Sequence, residues 1–335
     1  RGAVQQLHRW DLLDQVRSSG AAPIATTTFH YGDETIAIPI KPRDGVTALY
    51  APRRTVLDAL LAGAAEAAGA TVRHGVAVVD LLYDSRGRVR GVVVAGPEMP
   101  ATEVACGLVI GADGTNSRIV RLLQVETERE FSHAASTLFG YVGDLDLPGY
   151  HWYYEEGAAI GSIPTNDGDT CVFAAVPPAR FTDGRRGGLD RLYASVLRDV
   201  SPDLADRVRA RGGPGKLRGF AGRPGYVRRV TGSGWALVGD AGCFRDPITA
   251  HGISDALREA EFLSRAVLRG TDEALAAHAV ACRERVMPLF QVTDRLASFE
   301  WDLEEARAQH LTLAREMSRL AETQRAFDDS PARVA

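Results

Sequence analysis

Apolar residues recur along this chain with two periods, one near 3.6 and one near 2, and the switches between them divide it into elements. At the start, Val4, Leu7, Leu13 and Val16 lie near one face of a helix spanning 1–16, which Ser18-Ser19-Gly20 ends. Two-residue alternation then predicts strands at 25–31 and 35–40 across a Gly32-Asp33 turn, with a third at 46–50. A helical run from Val56 to Ala68 stops at Gly69 and leads into a short strand, Ala70 to Arg73. Between 76 and 105, brief apolar runs are separated by Asp84-Ser85-Arg86-Gly87 and Gly96-Pro97, the pattern of a small β-meander.

Two later runs, Leu108 to Ala112 and Trp235 to Val238, are short and apolar, as strands buried on both faces of a parallel sheet are. Between them, 136–178 is rich in β-branched and aromatic residues broken by Gly, Pro, Asn and Asp, which predicts an antiparallel sheet. Helical spacing returns at 187–199 and 202–210, in a long helix from about Gly252 to Leu268, and in two more at 272–294 and 298–327. The expected fold class is α/β: a Rossmann-like nucleotide-binding layer, a β-rich second domain and C-terminal helices. Elements of the first layer return after the β-rich insertion. The expected domains are therefore 1–130 together with 230–270, then 131–229, then 271–327.

Composition narrows the function classes. A net charge of -4 argues against nucleic acid as partner, and Arg207, Arg209 and Arg211 read as a solvated helix face. All but Lys41 and Lys216 of the 39 basic residues are arginines, which leaves few candidates for Schiff-base chemistry. Cys106, Cys171, Cys243 and Cys282 stand far apart with no C-x-x-C pair, so they read as four reduced, mostly buried thiols and favour the cytoplasm. No apolar run reaches the roughly 18 residues of a membrane helix, since Glu66 and two glycines interrupt 59–70. The first residue is Arg1 and the first methionine Met99, so the sequence is expected to start inside a gene product.

Three sites carry candidate chemistry. In the first, Gly111-Ala112-Asp113-Gly114-Thr115-Asn116-Ser117-Arg118, a buried strand ends and a helix begins. Ligands of open α/β sheets bind at such strand ends, and Gly114 would let backbone approach a ligand. Asp113 can accept from ligand hydroxyls or fix the loop; the competing reading is that Asp113 and Asn116 cap the helix. The second, Trp235-Ala236-Leu237-Val238-Gly239-Asp240-Ala241-Gly242, again runs a strand into a Gly-Asp loop, and Asp240 is placed to accept from ribose hydroxyls. In the third, Asp246-Pro247-Ile248-Thr249-Ala250-His251-Gly252-Ile253, Pro247 stiffens the loop and Gly252 opens a long helix, whose N-terminus favours negative charge. A reduced isoalloxazine, negative around N1 and O2, suits that helix start. His251 reads as a solvent-facing loop histidine.

Together these sites resemble the FAD-binding signatures of the aromatic-hydroxylase flavoprotein monooxygenases, the p-hydroxybenzoate hydroxylase-like group. The resemblance holds from residue 1 to about 290. It implies that Asp113 and Gly114 belong to the motif associated with FAD and the pyridine nucleotide, and that Gly239 and Asp240 belong to the motif contacting the ribitol or ribose of FAD. It also implies that Pro247 lies near the flavin ring, with Gly252 and Ile253 offering backbone amides to its pyrimidine edge. Arg1 looks like the family's helix-starting arginine that contacts FAD, and Arg54 occupies the position of a polar residue near the FAD phosphates. The implied cofactors are FAD and NAD(P)H as reductant. The implied activity is oxygenation of a small organic substrate with O₂, and no acid/base triad is required. Trp152, Tyr153, Tyr154 and Phe173 are candidate pocket walls, about half of them inward by alternation.

The family's G-x-G-x-x-G, which grips the ADP half of FAD, does not occur in the chain. The expectation is a Rossmann-like layer truncated at its N-terminus, the missing unit lying before Arg1. Two readings of the same fold compete, an isoprenoid-type reductase and a halogenase. Ile163-Pro164 retains the Ile-Pro of the halogenase Trp-x-Trp-x-Ile-Pro motif without either tryptophan, which demotes the latter. A third reading is a non-catalytic relic or binding module. Oligomeric state is open.

Overall fold

The structure, a computed structural model, describes residues 1–325. Two compact units share the chain. The first comprises 1–70, 133–223 and 292–314; the second takes 71–132, 224–291 and the described residues from 315. This differs from the domain division expected from sequence, because residues 1–70 group with the β-rich segment. Thr26–Tyr31 and Glu34–Pro39 are the reason: both join the sheet formed by the 136–176 strands.

In the first unit that sheet has seven strands, in the order Arg218–Phe220, Ser136–Gly143, Asp169–Val176, Ala158–Pro164, Tyr150–Glu155, Thr26–Tyr31, Glu34–Pro39. All neighbours are antiparallel except Thr26–Tyr31 and Tyr150–Glu155, which run parallel with Phe29 opposite Trp152. One face is core. Leu138, Val142, Ile160 and Val172 pack with Leu192, Val196 and Leu197 of helix Leu189–Val200 and with Leu204 of helix Pro202–Ala210. Those helix positions recur at three and four residues, so one stripe is buried. Ser201 starts the second helix by accepting from the Leu204 amide, with Pro202 in its first turn. Burying a side chain such as Leu138 or Leu197 contributes about 2 kcal/mol.

The opposite face carries a different set. Cross-strand pairing puts Phe139, Phe173, Gly161, Trp152, Phe29 and Ile36 in one row across six strands. All five bulky side chains of the row are half-buried. A Cβ at Gly161 would lie 2.2 Å from the Phe173 ring, so this position must be glycine for that ring to lie across it. Of the four candidate pocket walls, Trp152, Tyr154 and Phe173 share this face by alternation, whereas Tyr153 turns to the helix-covered core.

The second unit contains the expected meander, Ala77–Tyr83, Val89–Gly96 and Met99–Ala105. It also holds a three-stranded sheet in which Val109–Gly111 pairs in parallel with Trp235–Leu237, which in turn pairs with Thr231–Gly232. Trp235 and Leu237 pack with Val109 and Ile119, while Ala236 packs on the other face with Leu263, Ala266 and Leu275. Strand Trp235–Leu237 is thus covered on both faces, as predicted. Val109–Gly111 is not, because Ile110 is 46% exposed. Helix Gly252–Leu268 has the predicted bounds.

Other expectations are corrected. The opening helix is two, Gly2–Arg9 and Leu13–Ser18, broken at Asp11, whose φ of 58° is a left-handed conformation that aspartate tolerates. The third strand at 46–50 reduces to isolated bridges, Ile24 with Leu49 and Arg43 with Val46, after a turn through Asp44 and Gly45. Ala70 to Arg73 forms no strand, because no described strand pairs with it. Only Cys282 is buried; Cys106, Cys171 and Cys243 are partly exposed, Cys171 on the half-buried sheet face and Cys243 on a cavity wall. The last helices are Asp272–Ala297 and Leu303–Arg325, and the expected continuation to 327 lies outside the described residues. No helix among the described residues is long and apolar enough to cross a membrane.

Candidate functional site

Parallel pairing of Val109–Gly111 with Trp235–Leu237 brings the first two motifs to one place. Leu237 lies opposite Gly111, and the Val238 amide donates to the Gly111 carbonyl over 3.0 Å. The Asp113 and Asp240 loops therefore leave the same end of adjacent parallel strands, where α/β sheets present ligand sites.

In the first loop the Asp113 carboxylate is engaged by its own chain. It accepts from the Ser117 hydroxyl at 2.5 Å and from the amides of Arg118 and Ile119 at 2.6 and 3.2 Å. Ser117 Oγ in turn accepts from the Val120 amide, starting helix Arg118–Leu123. Burial pulls the Asp113 pKa upward, but the Ser117 hydroxyl and the two amides outweigh it and hold the group below its usual range. Loop-fixing and capping are what this carboxylate does. Gly114, at φ 75°, has open space where a Cβ would stand.

In the second loop, Gly239–Ala241 forms one 3-10 turn, entered through Gly239 at φ 60°. Tyr226 Oη donates to the Asp240 carbonyl over 2.7 Å, and Arg228 donates to the Ala241 carbonyl over 2.9 Å. The Arg228 guanidinium also stacks 4.0 Å from the Tyr226 ring centroid. Strand Tyr226–Arg228 thereby holds the Gly-Asp turn by its backbone.

In the third motif, Asp246 accepts from the Ile248 amide at 2.9 Å, shaping the turn Pro247–Thr249. Ala250 adopts φ 51°, after which helix Gly252–Leu268 begins. Pro247, Gly252 and Ile253 are exposed. His251 is not solvent-facing as expected from sequence: its Nδ1 is buried without a hydrogen-bond partner. Burial, then the nearby Arg245 charge, lowers its pKa to about 3. The imidazole is therefore neutral near pH 7.

A small cavity lies under the Gly-Asp turn and the start of this helix, with Gly239, Asp240, Gly242, Arg245, Gly252, Asp255 and Glu259 among its walls. Arg245 pairs with Asp255, and Arg258 Nη1 reaches the other oxygen of that carboxylate over 2.9 Å. Burial raises the Asp255 pKa, but Arg245 and Arg258 outweigh it and keep the group ionised. Arg245 is 7% exposed, and its Nη1 has no hydrogen-bond partner. The helix start at Gly252, where a Cβ would meet nothing within 4 Å, fits an electron-rich ligand such as a flavin.

Arg1 and Arg54 belong to the first unit, the other expected site residues to the second. The Arg1 side chain donates to the Lys41 carbonyl. Arg54 is engaged by Asp58 one turn along its own helix, through two hydrogen bonds of 2.8 and 2.9 Å, so its fork is directed at that carboxylate. The neighbouring Arg53 pairs with Asp169 and stacks 4.5 Å from the Tyr141 ring centroid. Arg245 was not singled out from sequence. Its only signal is its position between the Gly-Asp pair and Pro247, easily lost in an arginine-rich chain.

His251 makes a testable contribution. An unfolded histidine takes a proton near pH 6.5, whereas the buried one resists protonation until about pH 3. The unfolded state thus binds more protons across that window, so stability present above about pH 6.5 is lost progressively as pH falls toward 3. Denaturant melts at pH 7 and pH 4.5 on wild type and His251→Gln should show a shallower pH dependence in the variant. An equal slope in both would remove His251 as a cause.

The FAD binding domain family model matches residues 3–291. Among curated proteins, the chain is 28% identical over 236 residues to a menaquinone reductase of Mycolicibacterium smegmatis, covering 65% of this chain and 53% of that protein. It is 30% identical over 213 residues to digeranylgeranylglycerophospholipid reductase 2 of Methanothermobacter thermautotrophicus, covering 61% and 51%. The chain spans about half the length of these curated relatives. Among solved structures, the flavin-dependent brominase Bmp2 matches with TM-score 0.74 at 19% identity, over 97% of this chain and 88% of that one. Klebsiella pneumoniae HpxO complexed with FAD and uric acid matches with TM-score 0.71 at 19% identity, over 93% and 82%. These structural likenesses are of fold.

Proposed function

Because the chain belongs to the FAD binding domain family, and within it to the aromatic-hydroxylase-like flavoproteins, we propose that it is an FAD-dependent monooxygenase of a small, apolar, planar organic substrate, with NAD(P)H as reductant. When bound, FAD supplies the two-electron chemistry with nicotinamide and O₂. The chain's own residues position and shield the reactants. Asp240 accepts from the sugar or ribitol hydroxyls, Gly239 and Gly114 let backbone approach the cofactor, and the amides at Gly252 and Ile253 donate to the pyrimidine edge. Pro247 stiffens the loop beside the ring. Arg1 and Arg54 are proposed as phosphate-side donors, which requires Arg54 to leave Asp58.

Carrying this reading is the parallel pairing that brings the Asp113 and Asp240 loops to the same end of adjacent strands. The aromatic row from Phe139 to Phe29 supports a flat, apolar substrate. Four free cysteines fit a reducing compartment, so a cytoplasmic enzyme is part of the proposal.

A second reading, an isoprenoid-type reductase, is favoured by the names of both curated relatives. Turnover with NAD(P)H under ¹⁸O₂ separates the two. Oxygenation puts one labelled oxygen in the product; reduction adds two hydrogens and no label. If organic substrates accelerate no NAD(P)H oxidation by the FAD-loaded protein, both readings fail.

A further inference from the structure

Two of the four cysteines meet in the second unit. Cys243 opens the short strand Cys243–Phe244 opposite Val227, and Cys282 stands on helix Asp272–Ala297. Val227, Cys282 and Val286 belong to one buried apolar cluster, against which Cys243 packs. Both cysteines also line the small cavity under the Gly-Asp turn. The Cys282 thiol donates to the Cys243 sulfur; this bond, followed by burial, holds the Cys282 pKa well above the usual thiol range. The other two thiols lie elsewhere, Cys106 in a different apolar cluster and Cys171 on the seven-stranded sheet.

The two sulfurs differ in access. Cys243 is partly exposed, whereas Cys282 is 4% exposed. Oxidation of a thiol follows its access to the oxidant, so Cys243 is the sulfur attacked first and Cys282 the partner held beside it. The cavity they share is on the scale of a water molecule, which excludes an organic ligand and matches a small oxidant such as hydrogen peroxide. Its walls carry Asp240, Asp255 and Glu259 against Arg245, a balance that suits a neutral molecule rather than an anion. Arg245 Nη1, buried without a hydrogen-bond partner, is a donor available to a departing oxygen.

We propose that Cys243 and Cys282 are a redox pair, which hydrogen peroxide oxidises to a disulfide joining the strand after the Gly-Asp turn to helix Asp272–Ala297. The Cys243 sulfur takes one peroxide oxygen as the O–O bond breaks, giving a sulfenic acid, and the other oxygen leaves as water with the thiol proton. The Cys282 sulfur then displaces the sulfenic hydroxyl, which leaves as water with the Cys282 proton. Two thiols lose two electrons and two protons, and one peroxide becomes two waters. A thiol reductant reverses the reaction, as a transient disulfide in a reducing compartment requires. Asp240 lies three residues before Cys243, so the bond restrains the turn that carries it. This inference goes beyond the flavin reading and does not depend on it.

Peptide mapping of the wild-type protein tests this, after full reduction, removal of the reductant and exposure to a modest excess of hydrogen peroxide. Free thiols should fall from four to two, and a non-reducing digest should yield one cross-linked peptide pair, joining Cys243 to Cys282 and lost on adding dithiothreitol. Cys282→Ser should stop at a sulfenic acid on Cys243, trapped by dimedone. Cys243→Ser should give no cross-link and consume peroxide roughly tenfold more slowly, because the remaining sulfur of the pair is buried. Loss of Cys106 or Cys171 before Cys243, or oxidation of Cys243 to sulfinic acid without a cross-link, would overturn the inference. Dimedone trapped on Cys282 instead of Cys243 would overturn it equally. The wild-type map decides the matter even where a variant fails to fold.

Discussion

Replacing Asp240 with alanine is expected to weaken FAD binding at least a hundredfold. The proposed role is acceptance from two hydroxyls by an ionised oxygen pair, and each such charge-assisted bond is worth about 1.5–3 kcal/mol. Losing both removes about 3–6 kcal/mol, and every 1.4 kcal/mol is a factor of ten in affinity. The loop itself is held through carbonyls, by Tyr226 at Asp240 and by Arg228 at Ala241, so the turn keeps its backbone ties in the variant. Fluorescence titration with FAD, alongside far-UV circular dichroism, measures the effect. Binding within threefold of wild type in a folded Asp240→Ala protein would remove this carboxylate from the cofactor site. Asp240→Asn should fall between the two, since one neutral oxygen still accepts.

The second large effect is structural. Gly234→Ala is expected to lower the thermal midpoint by roughly 10 °C, through a loss of about 4 kcal/mol or more. Gly234 sits at φ 80°, and a Cβ there would lie 2.0 Å from the Val89 carbonyl oxygen. That contact cannot be relieved by turning a side chain, because the neighbour is backbone. The same turn is tied on both sides: the Val89 amide donates to the Ser233 carbonyl over 3.1 Å and the Val109 amide to the Gly234 carbonyl over 3.0 Å. Moving it therefore disturbs the meander and the parallel pair together. A midpoint within about 2 °C of wild type by differential scanning calorimetry would show that the turn yields more cheaply than close packing allows.

Local pattern was a good guide where an element is specified by its own residues. Helix Gly252–Leu268 shows a 3.6-residue apolar stripe and a glycine start, and the strand at Trp235 is a compact apolar run; both lie where periodicity puts them. The meander was legible for the same reason, its turns being marked by Asp, Gly and Pro. Pattern failed where partners decide. Ala70 to Arg73 reads as a strand but has nothing to pair with, and Thr26–Tyr31 reads as a strand without revealing that its partner is Tyr150–Glu155. That one parallel pairing moves residues 1–70 out of the expected nucleotide-binding domain.

Site residues divide similarly. Gly239, Asp240 and Gly252 stand in recognisable strand-to-loop and loop-to-helix contexts, and they line one cavity. Asp113 was read with two possible roles, and the hydrogen bonds it accepts are those of a cap. Arg245 and His251 escaped because burial, which makes each unusual, is created by packing and leaves no mark in the spacing of the chain.

The strand pair beneath the Gly-Asp turn constrains the order of folding during synthesis. Val109 and Trp235 are adjacent in space, yet most of the first unit's seven-stranded sheet is encoded between them. On a ribosome, Val109–Gly111 must wait unpaired on that side while 133–223 emerges, because its partner has not been made. Closing so long a loop costs entropy that is repaid only once the intervening chain is compact. The segment 133–223 is therefore expected to collapse first, drawing the two strands within reach. Mutations that slow folding should concentrate in that insertion, which contributes no residue to the cavity whose formation they delay.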